Sequence, residues 1–269
     1  MIPLRKSEME PFVRLQKILK RKSQDVRAAF EKRMDFVELA YISFDFHTPE
    51  FMSVAGVHFG DEDDDLWRSL YVYDQTDIAS LKKEIDRQLD GMCWYCRVAP
   101  ADSLDHILPK GQNPIYAVHA SNLVPACTSC NRKKGERLNA IERETIYPYG
   151  ELTQNERWLF AKITAINNQP GVSFFVDFSA VANKRCGQVL ATHVREMELC
   201  ETYSQHFSGL GRSRMVAEFG HLEGASAVRD SIKSILPGYR KRFGPNYYYS
   251  VGMEALQQSD DSTMSAFLG

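Results

Sequence analysis

The sequence predicts an α+β protein, in which a short unit of two strands and a helix is embedded in a mainly α-helical body. Three observations predict this fold class. Apolar residues recur every three or four positions over long stretches at both ends of the chain, which is typical of amphipathic helices. Between those stretches, residues 93–137 hold two CxxC cysteine pairs with strand-like and helix-like segments. The composition, 43% hydrophobic and 25% charged, provides ample material for a core.

The N-terminal region, residues 1–90, is expected to contain several helices. Helical spacing of apolar residues runs through residues 8–40 and predicts one or two amphipathic helices. The same spacing returns at residues 77–89, and Gly91 is the expected end of that helix, because glycine commonly follows a helix C-terminus.

Residues 41–74 differ in composition from the rest of this region. They are rich in aromatic and β-branched residues, which favours short strands or irregular structure. The acidic run 61–65 is expected to lie in a solvated loop, with a partner surface or a guard over a basic site as the alternatives.

Residues 41–80 hold nine acidic residues and one basic residue, whereas residues 93–137 hold six basic and three acidic residues. With a net charge of -2 the whole chain is not a uniformly basic nucleic-acid binder, but this segment can form a local phosphate-facing patch.

The C-terminal region, residues 146–269, is expected to be mostly helical. Apolar residues occur at helical spacing in NERWLFAKITAI, QVLATHVREMELCETYSQHF and SAVRDSIKSIL. Several glycines and the pair Pro237-Gly238 are expected to separate these helices, and residues 172–178 to form a single strand. The tail YRKRFGPNYYY suits either contact with nucleic acid or core tyrosines beside a solvated turn.

The sequence predicts a cytoplasmic protein without a membrane partner. Its apolar runs fall well short of the ~20 residues that cross a bilayer. The start of the chain, MIPLRKSEMEPF, lacks the uninterrupted apolar stretch of a signal peptide. Thiols stay reduced in the cytoplasm, so paired CxxC motifs indicate metal binding rather than disulfides.

Four of the six cysteines form the two CxxC pairs: Cys93, Cys96, Cys127 and Cys130. A zinc ion bound by thiolates is tetrahedral, and two such turns supply two sulfurs each. The 30 residues between the pairs exceed the spacing in common zinc fingers, so the insert must contain structure of its own. The pattern predicts a structural zinc ion, with four reduced core cysteines as the alternative.

The insert begins with an Asp-His dipeptide on a predicted strand. Alternation of Leu104, His106 and Leu108 indicates a short strand, in which Asp105 and His106 point to opposite faces. A second strand is expected in HASNLVPAC, and a short helix follows the second cysteine pair and continues into RKKGERLNAIERE. Residues 91–145 are therefore expected to form a strand–strand–helix module between two zinc-binding turns.

The combined pattern resembles the HNH endonuclease superfamily. It consists of C-x2-C, DHILPK, NLVPAC-x2-CN and the following KK, all within residues 93–135. The resemblance implies a ββα-metal fold with a four-cysteine zinc site, of the type found in stand-alone bacterial HNH nucleases. It also implies a metal-dependent endonuclease that hydrolyses phosphodiester bonds in DNA and leaves 5′-phosphate and 3′-hydroxyl ends. By the same analogy, the protein is an effector of anti-phage defence with a partner ATPase or another defence protein.

The resemblance assigns roles to the motif residues. His106 is the general base that takes a proton from the attacking water, and Asn122 holds the loop so that His106 is oriented. Asp105 and Asn131 are the ligands of the catalytic metal. Asn131 stands where the family name has a histidine, which is a departure familiar within the superfamily. Oxygen ligands suit Mg²⁺ or Mn²⁺.

Three lysines are expected to contact nucleic acid: Lys110, Lys133 and Lys134. Basic residues at this place give affinity that depends on salt but not on sequence. A solvated helix face is the alternative for Lys133 and Lys134. His119 either contacts a phosphate or is a loop histidine without a role in the site.

Two alternative functions stay open. A zinc-dependent nucleic-acid-binding module without catalysis needs the cysteines, but it does not need Asp105, His106 and Asn131 together. A nuclease that acts on RNA or branched DNA shares the Cys-x2-Cys-Asn arrangement, and the sequence does not separate these substrates from ordinary DNA.

Overall fold

The fold was taken from a computed structural model, which describes residues 3–46, 51–53, 61–72, 75–136, 144–149, 156–167 and 169–269. These residues are mainly helical and include small two-stranded antiparallel sheets, which confirms the predicted α+β class. Within these ranges, no helix is long and apolar enough to cross a membrane.

The helices in the described ranges are α1 (Pro11–Lys20), α2 (Gln24–Glu31), α3 (Met34–Phe46), α4 (Asp61–Ser69), α5 (Thr76–Asp86), α6 (Thr128–Lys134), α7 (Lys184–Glu196), α8 (Leu199–His206), α9 (Arg212–Phe219), α10 (Ala225–Phe243), α11 (Tyr248–Gln258) and α12 (Asp261–Leu268). The strands are β1 (Phe51–Ser53), β2 (Ser103–His106), β3 (Leu123–Ala126), β4 (Glu144–Ile146), β5 (Leu159–Ile166) and β6 (Gln169–Val176). Three antiparallel pairs join β1 to β4, β2 to β3 and β5 to β6.

The chain divides into two units. The first consists of Pro3–Tyr95 and Ala99–Leu152, and the second of Thr153–Gly269 together with Cys96–Val98. The first unit therefore contains residues of both the predicted N-terminal region and the predicted cysteine-bounded module.

A buried arginine organises the helices that precede the first cysteine pair. Helix α1 packs against α2, α3 and α5. Arg14 of α1 is 1% exposed, and its guanidinium donates to the carbonyl of Asp77 (2.7 Å) and to the hydroxyl of Ser7 (2.9 Å). Since a buried guanidinium requires such partners, Arg14 fixes α1 and the N-terminal segment onto α5. Helix α5 in turn packs against β3, a strand of the cysteine-bounded module.

The aromatic stretch 41–46 is the second half of α3, so the prediction of strand or irregular structure there was wrong. Val37, Tyr41 and Phe44 are all buried, at separations of four and three residues. This spacing places them on one face of a helix, and their burial outweighs the preference of aromatic residues for strands.

The acidic run 61–65 was also predicted incorrectly, because it begins α4 instead of lying in a loop. Asp64 is buried and Asp65 is exposed, with Arg68 pairing to Asp65 at 2.5 Å. Residues 47–50, 54–60 and 73–74 of the predicted stretch lie outside the described residues.

In the second unit, the segment NERWLFAKITAI contains strand β5 instead of the predicted helix. Leu159 and Ile163 are buried and four residues apart, a separation that equals two strand repeats as well as about one helical turn. Strand β5 pairs with β6 in antiparallel orientation, from Leu159 opposite Val176 to Ile166 opposite Gln169. The segment is therefore a strand and not a helix. The predicted strand at 172–178 is confirmed for residues 172–176, which belong to β6, whereas residues 177–178 follow its end.

The predicted helices that follow are confirmed as α7, α8 and α10, with one correction. Helix α10 continues through Pro237-Gly238 to Phe243, so the predicted break is wrong. Proline removes one backbone hydrogen bond, but Val228, Ile232 and Leu236 remain buried along one face of the helix.

Asn246 fixes the entry of β5. Its side-chain oxygen accepts from the backbone N–H groups of Trp158 and Leu159, both at 2.9 Å, and its amide donates to the carbonyl of Glu156 at 2.8 Å. The Asn246 side chain is only 7% exposed, so water cannot replace these three hydrogen bonds if the side chain is removed.

We expect Asn246→Ala to lower the free energy of unfolding by about 2–3 kcal/mol, because two buried N–H donors lose their acceptor. Urea unfolding followed by circular dichroism measures the change. Gln169→Ala, at an exposed position of β6, is the control and should change stability by less than about 0.5 kcal/mol. Equal stabilities of the two variants would contradict this role for Asn246.

Candidate active site

The four cysteines of the two CxxC pairs meet at one point. Their sulfur atoms all lie within 4.8 Å of one another. The four residues are at most 5% exposed: Cys93, Cys96, Cys127 and Cys130. Four thiolates at about 2.3 Å from a tetrahedral zinc are separated by roughly 3.8 Å, so the cluster fits one zinc ion after small shifts. The cluster also shapes helix α6, because the Cys127 sulfur accepts a hydrogen bond from the backbone N–H of Cys130 at 3.4 Å.

Backbone hydrogen bonds join the first cysteine turn to the hairpin of β2 and β3. The N–H of Cys93 donates to the carbonyl of Ala99 at 2.8 Å, and the N–H of Trp94 donates to that of Pro125 at 2.9 Å. Helix α6 packs on β2 from the other end, where the Asn131 amide donates to the Ser103 hydroxyl at 3.2 Å. The predicted strand–strand–helix order is therefore observed, with both strands between the cysteine turns and α6 beginning in the second turn. The helix ends at Lys134, and residues 137–143 of its predicted continuation lie outside the described residues.

Asn122 closes the loop between the two strands. Its side-chain oxygen accepts from the N–H of Leu108 at 2.8 Å. Its amide donates to the carbonyls of Leu108 (3.1 Å) and Tyr116 (3.0 Å). The side chain is completely buried, so these three bonds satisfy groups that water does not reach. The amide thereby fixes the chain on both sides of the loop that passes His106.

His106 is held by a backbone carbonyl. Its Nε2 lies 2.9 Å from the carbonyl oxygen of Ala117, which can only accept, so Nε2 carries the proton and Nδ1 of the neutral ring is the basic nitrogen. The Tyr71 ring packs edge-on against the imidazole at 4.5 Å between centroids. Burial lowers the pKa of His106 to about 3, so the ring is neutral at physiological pH.

Asp105 has different surroundings from its neighbour His106. Its carboxylate accepts a hydrogen bond from the Tyr95 hydroxyl at 2.5 Å and lies 3.2 Å from the Lys134 ammonium. The same ammonium donates to the carbonyl of His106 at 2.6 Å. Burial raises the pKa of Asp105, while Lys134 and Tyr95 oppose this rise by stabilising the charged form. Asp105 is thus a buried carboxylate whose charge is balanced inside the module.

A divalent cation bound here would rely on few protein ligands. Helix α6 meets β2 through two pairs of residues, because Asn131 bonds to Ser103 and Lys134 pairs with Asp105. Asp105 and Ser103 are two residues apart on β2, and Asn131 and Lys134 are three residues apart on α6. Among the described residues, the four cysteines form the one group of three or more cysteine, histidine or acidic side chains that could hold a metal ion. The side-chain oxygens of Asp105 and Asn131 are of the donor type that hard cations prefer.

The three predicted nucleic-acid contacts lie in different environments. Lys110 is exposed, with its ammonium 5.3 Å from the centre of the Tyr71 ring. Lys133 is half-buried. Lys134 differs from the expectation, because it is only 7% exposed and its ammonium is directed at Asp105. Its place in the structure is an internal ion pair and not an exposed basic face.

Sequence reasoning missed two aromatic residues of this site. Tyr95 lies inside the first CxxC turn, a position that could have indicated its closeness to the hairpin. Tyr71 lies in a segment whose composition gave no such signal. His119 is fully buried between the rings of Tyr41 and Phe44, at 4.5 and 4.2 Å, so it does not face a phosphate.

The strand–strand–helix module with its cysteine cluster can be compared with known protein families. Residues 92–137 match the family model of the HNH endonucleases, so this segment is similar to an HNH endonuclease domain. The chain is also similar to Protein ea31 of Escherichia phage lambda, with 30% identity over 190 residues that cover 63% of this chain and 62% of that protein. The chain thus spans less than two thirds of the length of this relative. No solved structure matches the chain.

Protein purified without added metal should contain about one zinc ion per chain, because four clustered thiolates form a closed tetrahedral site. Cys130→Ser should lose most of this zinc and lower the unfolding temperature, since metal binding contributes directly to folding. Elemental analysis and thermal unfolding measure both effects. Cys200→Ser, outside the cluster, should keep the zinc; a folded, zinc-free wild-type protein would rule out this assignment.

The buried ion pair of Lys134 and Asp105 is expected to contribute to the stability of the protein. Lys134→Met should destabilise the protein by about 3–5 kcal/mol, because it leaves a buried carboxylate without its counter-ion. Adding Asp105→Asn to this variant should restore part of the loss, since the uncompensated charge is then removed. Urea unfolding provides the comparison, with Arg132→Met on the exposed side of α6 as the control. A Lys134→Met protein as stable as that control would show that the pair is not formed.

Proposed function

We propose that the protein is a metal-dependent HNH endonuclease that hydrolyses phosphodiester bonds in DNA. The observation that carries this proposal is the bond between Nε2 of His106 and the carbonyl of Ala117. It directs the proton to one nitrogen and leaves the other, Nδ1, available to accept a proton from an attacking water molecule.

Asn122 supports this role by holding both ends of the loop. It bonds to Leu108, two residues beyond His106, and to Tyr116, which immediately precedes Ala117. The imidazole and the carbonyl that orients it are thus fixed relative to each other before a substrate binds. Such preorganisation avoids the cost of arranging these groups during the reaction.

Asp105 and Asn131 would hold the divalent metal, which we propose is Mg²⁺ or Mn²⁺. When bound, such an ion supplies positive charge next to the scissile phosphate and its leaving oxygen. The buried ammonium of Lys134 keeps the Asp105 carboxylate in place, at 3.2 Å. We propose that Lys110 and Lys133 contact the phosphates of the substrate, whereas Lys134 acts from inside the module.

A second candidate function is a zinc-dependent nucleic-acid-binding module without catalysis. One observation favours it: the Asp105 carboxylate already bonds to Tyr95 and Lys134, so it is less available to a metal. A nuclease that acts on RNA or branched DNA remains a further alternative for the substrate.

The cytoplasm, where the six free cysteines would stay reduced, is the proposed location. A part in anti-phage defence with a partner ATPase rests on family analogy.

The deciding experiment is a cleavage assay with plasmid DNA, single-stranded DNA and RNA, each with and without Mg²⁺ or Mn²⁺. His106→Ala should lower the cleavage rate by roughly 10²–10⁴-fold, the range of a positioned proton acceptor. Its zinc content and nucleic-acid binding should remain. His221→Ala, an exposed histidine outside the module, is the matched control and should cut at the wild-type rate.

The metal ligands are distinguished from the base by a metal titration. Asn131→Ala should recover part of its rate at high Mn²⁺ concentration, because it weakens metal binding, while His106→Ala stays inactive. A His106→Ala protein that cuts as fast as the wild type would refute the mechanism. Absence of cleavage of every substrate by the wild type, with binding retained, would favour the non-catalytic module.

A further inference from the structure

The second unit contains a pocket that the nuclease proposal does not use. It has a volume of about 370 Å³ and lies beside β5, between the ends of α10 and α11. Four of the residues that line it are polar: Arg157, Arg240, Glu254 and Gln258. Phe160 and Pro245 contribute apolar surface. A volume of this size falls in the range of ligand pockets, roughly 300–1,000 Å³.

The polar side chains that line the pocket carry a net positive charge. Glu254 pairs with both arginines, with one carboxylate oxygen bonded to Arg157 and the other to Arg240. Two guanidinium groups and one carboxylate leave a net charge of about +1 on these side chains. The ion pairs also hold both guanidinium groups in defined positions, since Arg157 donates in addition to the carbonyl of Leu159 at 2.6 Å.

One donor among the polar side chains of the pocket is unsatisfied. The Nε of Arg240 is buried and has no hydrogen-bond partner among the described residues. A buried N–H group without an acceptor costs about 1–3 kcal/mol. The Arg240 side chain as a whole is 38% exposed, so a ligand in the pocket can contact atoms of this side chain other than Nε.

An aromatic ring stands next to the arginines. The guanidinium of Arg157 lies over the Phe160 ring, 5.2 Å from its centroid. On the adjacent strand, Phe175 stacks on Phe160 at 5.8 Å and an interplanar angle of 22°, and it is 48% exposed. The pocket lining therefore combines two arginines with one aromatic side chain, Phe160, which lies beside the exposed ring of Phe175.

We propose that this pocket binds a nucleoside phosphate. Arg157 and Arg240 hold the phosphate, the base packs on Phe160, and the Gln258 amide can bond to the edge of the base. The ligand is either a free mononucleotide or a nucleotide of a single strand, because both present the same phosphate and base. This inference goes beyond the proposed function, since it involves neither His106 nor a metal ion.

Isothermal titration calorimetry of the full-length protein, without added divalent metal, tests the proposal. The probes are dAMP, deoxyadenosine, inorganic phosphate and a 5′-phosphorylated (dA)6 oligonucleotide. dAMP should bind saturably and more tightly than deoxyadenosine or phosphate alone. Arg240→Gln should weaken this binding at least ~10-fold through loss of a charge-assisted contact, while Lys241→Gln on the exposed side of α10 should not change it.

Phe160→Leu tests the ring without altering the charges, and it should weaken dAMP binding but leave phosphate binding unchanged. Thermal unfolding of each variant confirms that it is folded. The oligonucleotide is titrated into His106→Ala protein, so that cleavage cannot remove it. Tighter, Arg240-dependent binding of the oligonucleotide than of dAMP identifies a strand as the ligand, and the reverse order identifies a free nucleotide.

Absence of dAMP and oligonucleotide binding by the folded wild type would overturn the proposal. Equal binding by wild type and Arg240→Gln, or phosphate binding as tight as that of dAMP, would also overturn it. A protein that binds dAMP but cuts no nucleic acid would refute the nuclease proposal alone.

Discussion

The geometry of the module depends on bringing four sulfur atoms together across a 30-residue insert. One cysteine pair precedes the β2–β3 hairpin and the other begins α6, so their meeting closes the hairpin and the helix into one body. A single zinc ion bound at that point would replace the large apolar core that such a short segment cannot build. The loop behind His106 and the contact of Asn131 with Ser103 are both formed within this closed module.

Inside the closed module, polar side chains occupy interior positions and must find partners there. Asn122 satisfies three backbone groups, and Lys134 balances Asp105 while it binds the neighbouring carbonyl of His106. Buried networks of this kind stabilise only when every member is paired, because a group left over costs its full desolvation energy. The same pairing holds the imidazole of His106 in one orientation, which is what the proposed general base requires.

The elements that sequence analysis misassigned show how burial overrides local preference. Tyr41 and Phe44 have aromatic side chains that favour strands, but α3 buries both on one face. Leu159 and Ile163 have a spacing that fits a helix and a strand equally well. The partner strand β6 resolved this ambiguity, and it was itself recognisable from its composition. Periodicity is therefore least informative where an element is short and its apolar residues are few.

The sequence by itself determined the clustering of the four cysteines, the strand–strand–helix order and the place of Asp105 and His106 on the first strand, because these features follow from spacing within a short segment. It also indicated most of the C-terminal helices. The tertiary structure alone decided that Lys134 is an internal counter-ion, that Tyr71 packs on His106, and that Arg157 and Arg240 share Glu254. The physical reason is that a charge or ring acquires its role from its partner. Such partners lie up to 97 residues away in the chain, so no local pattern records them.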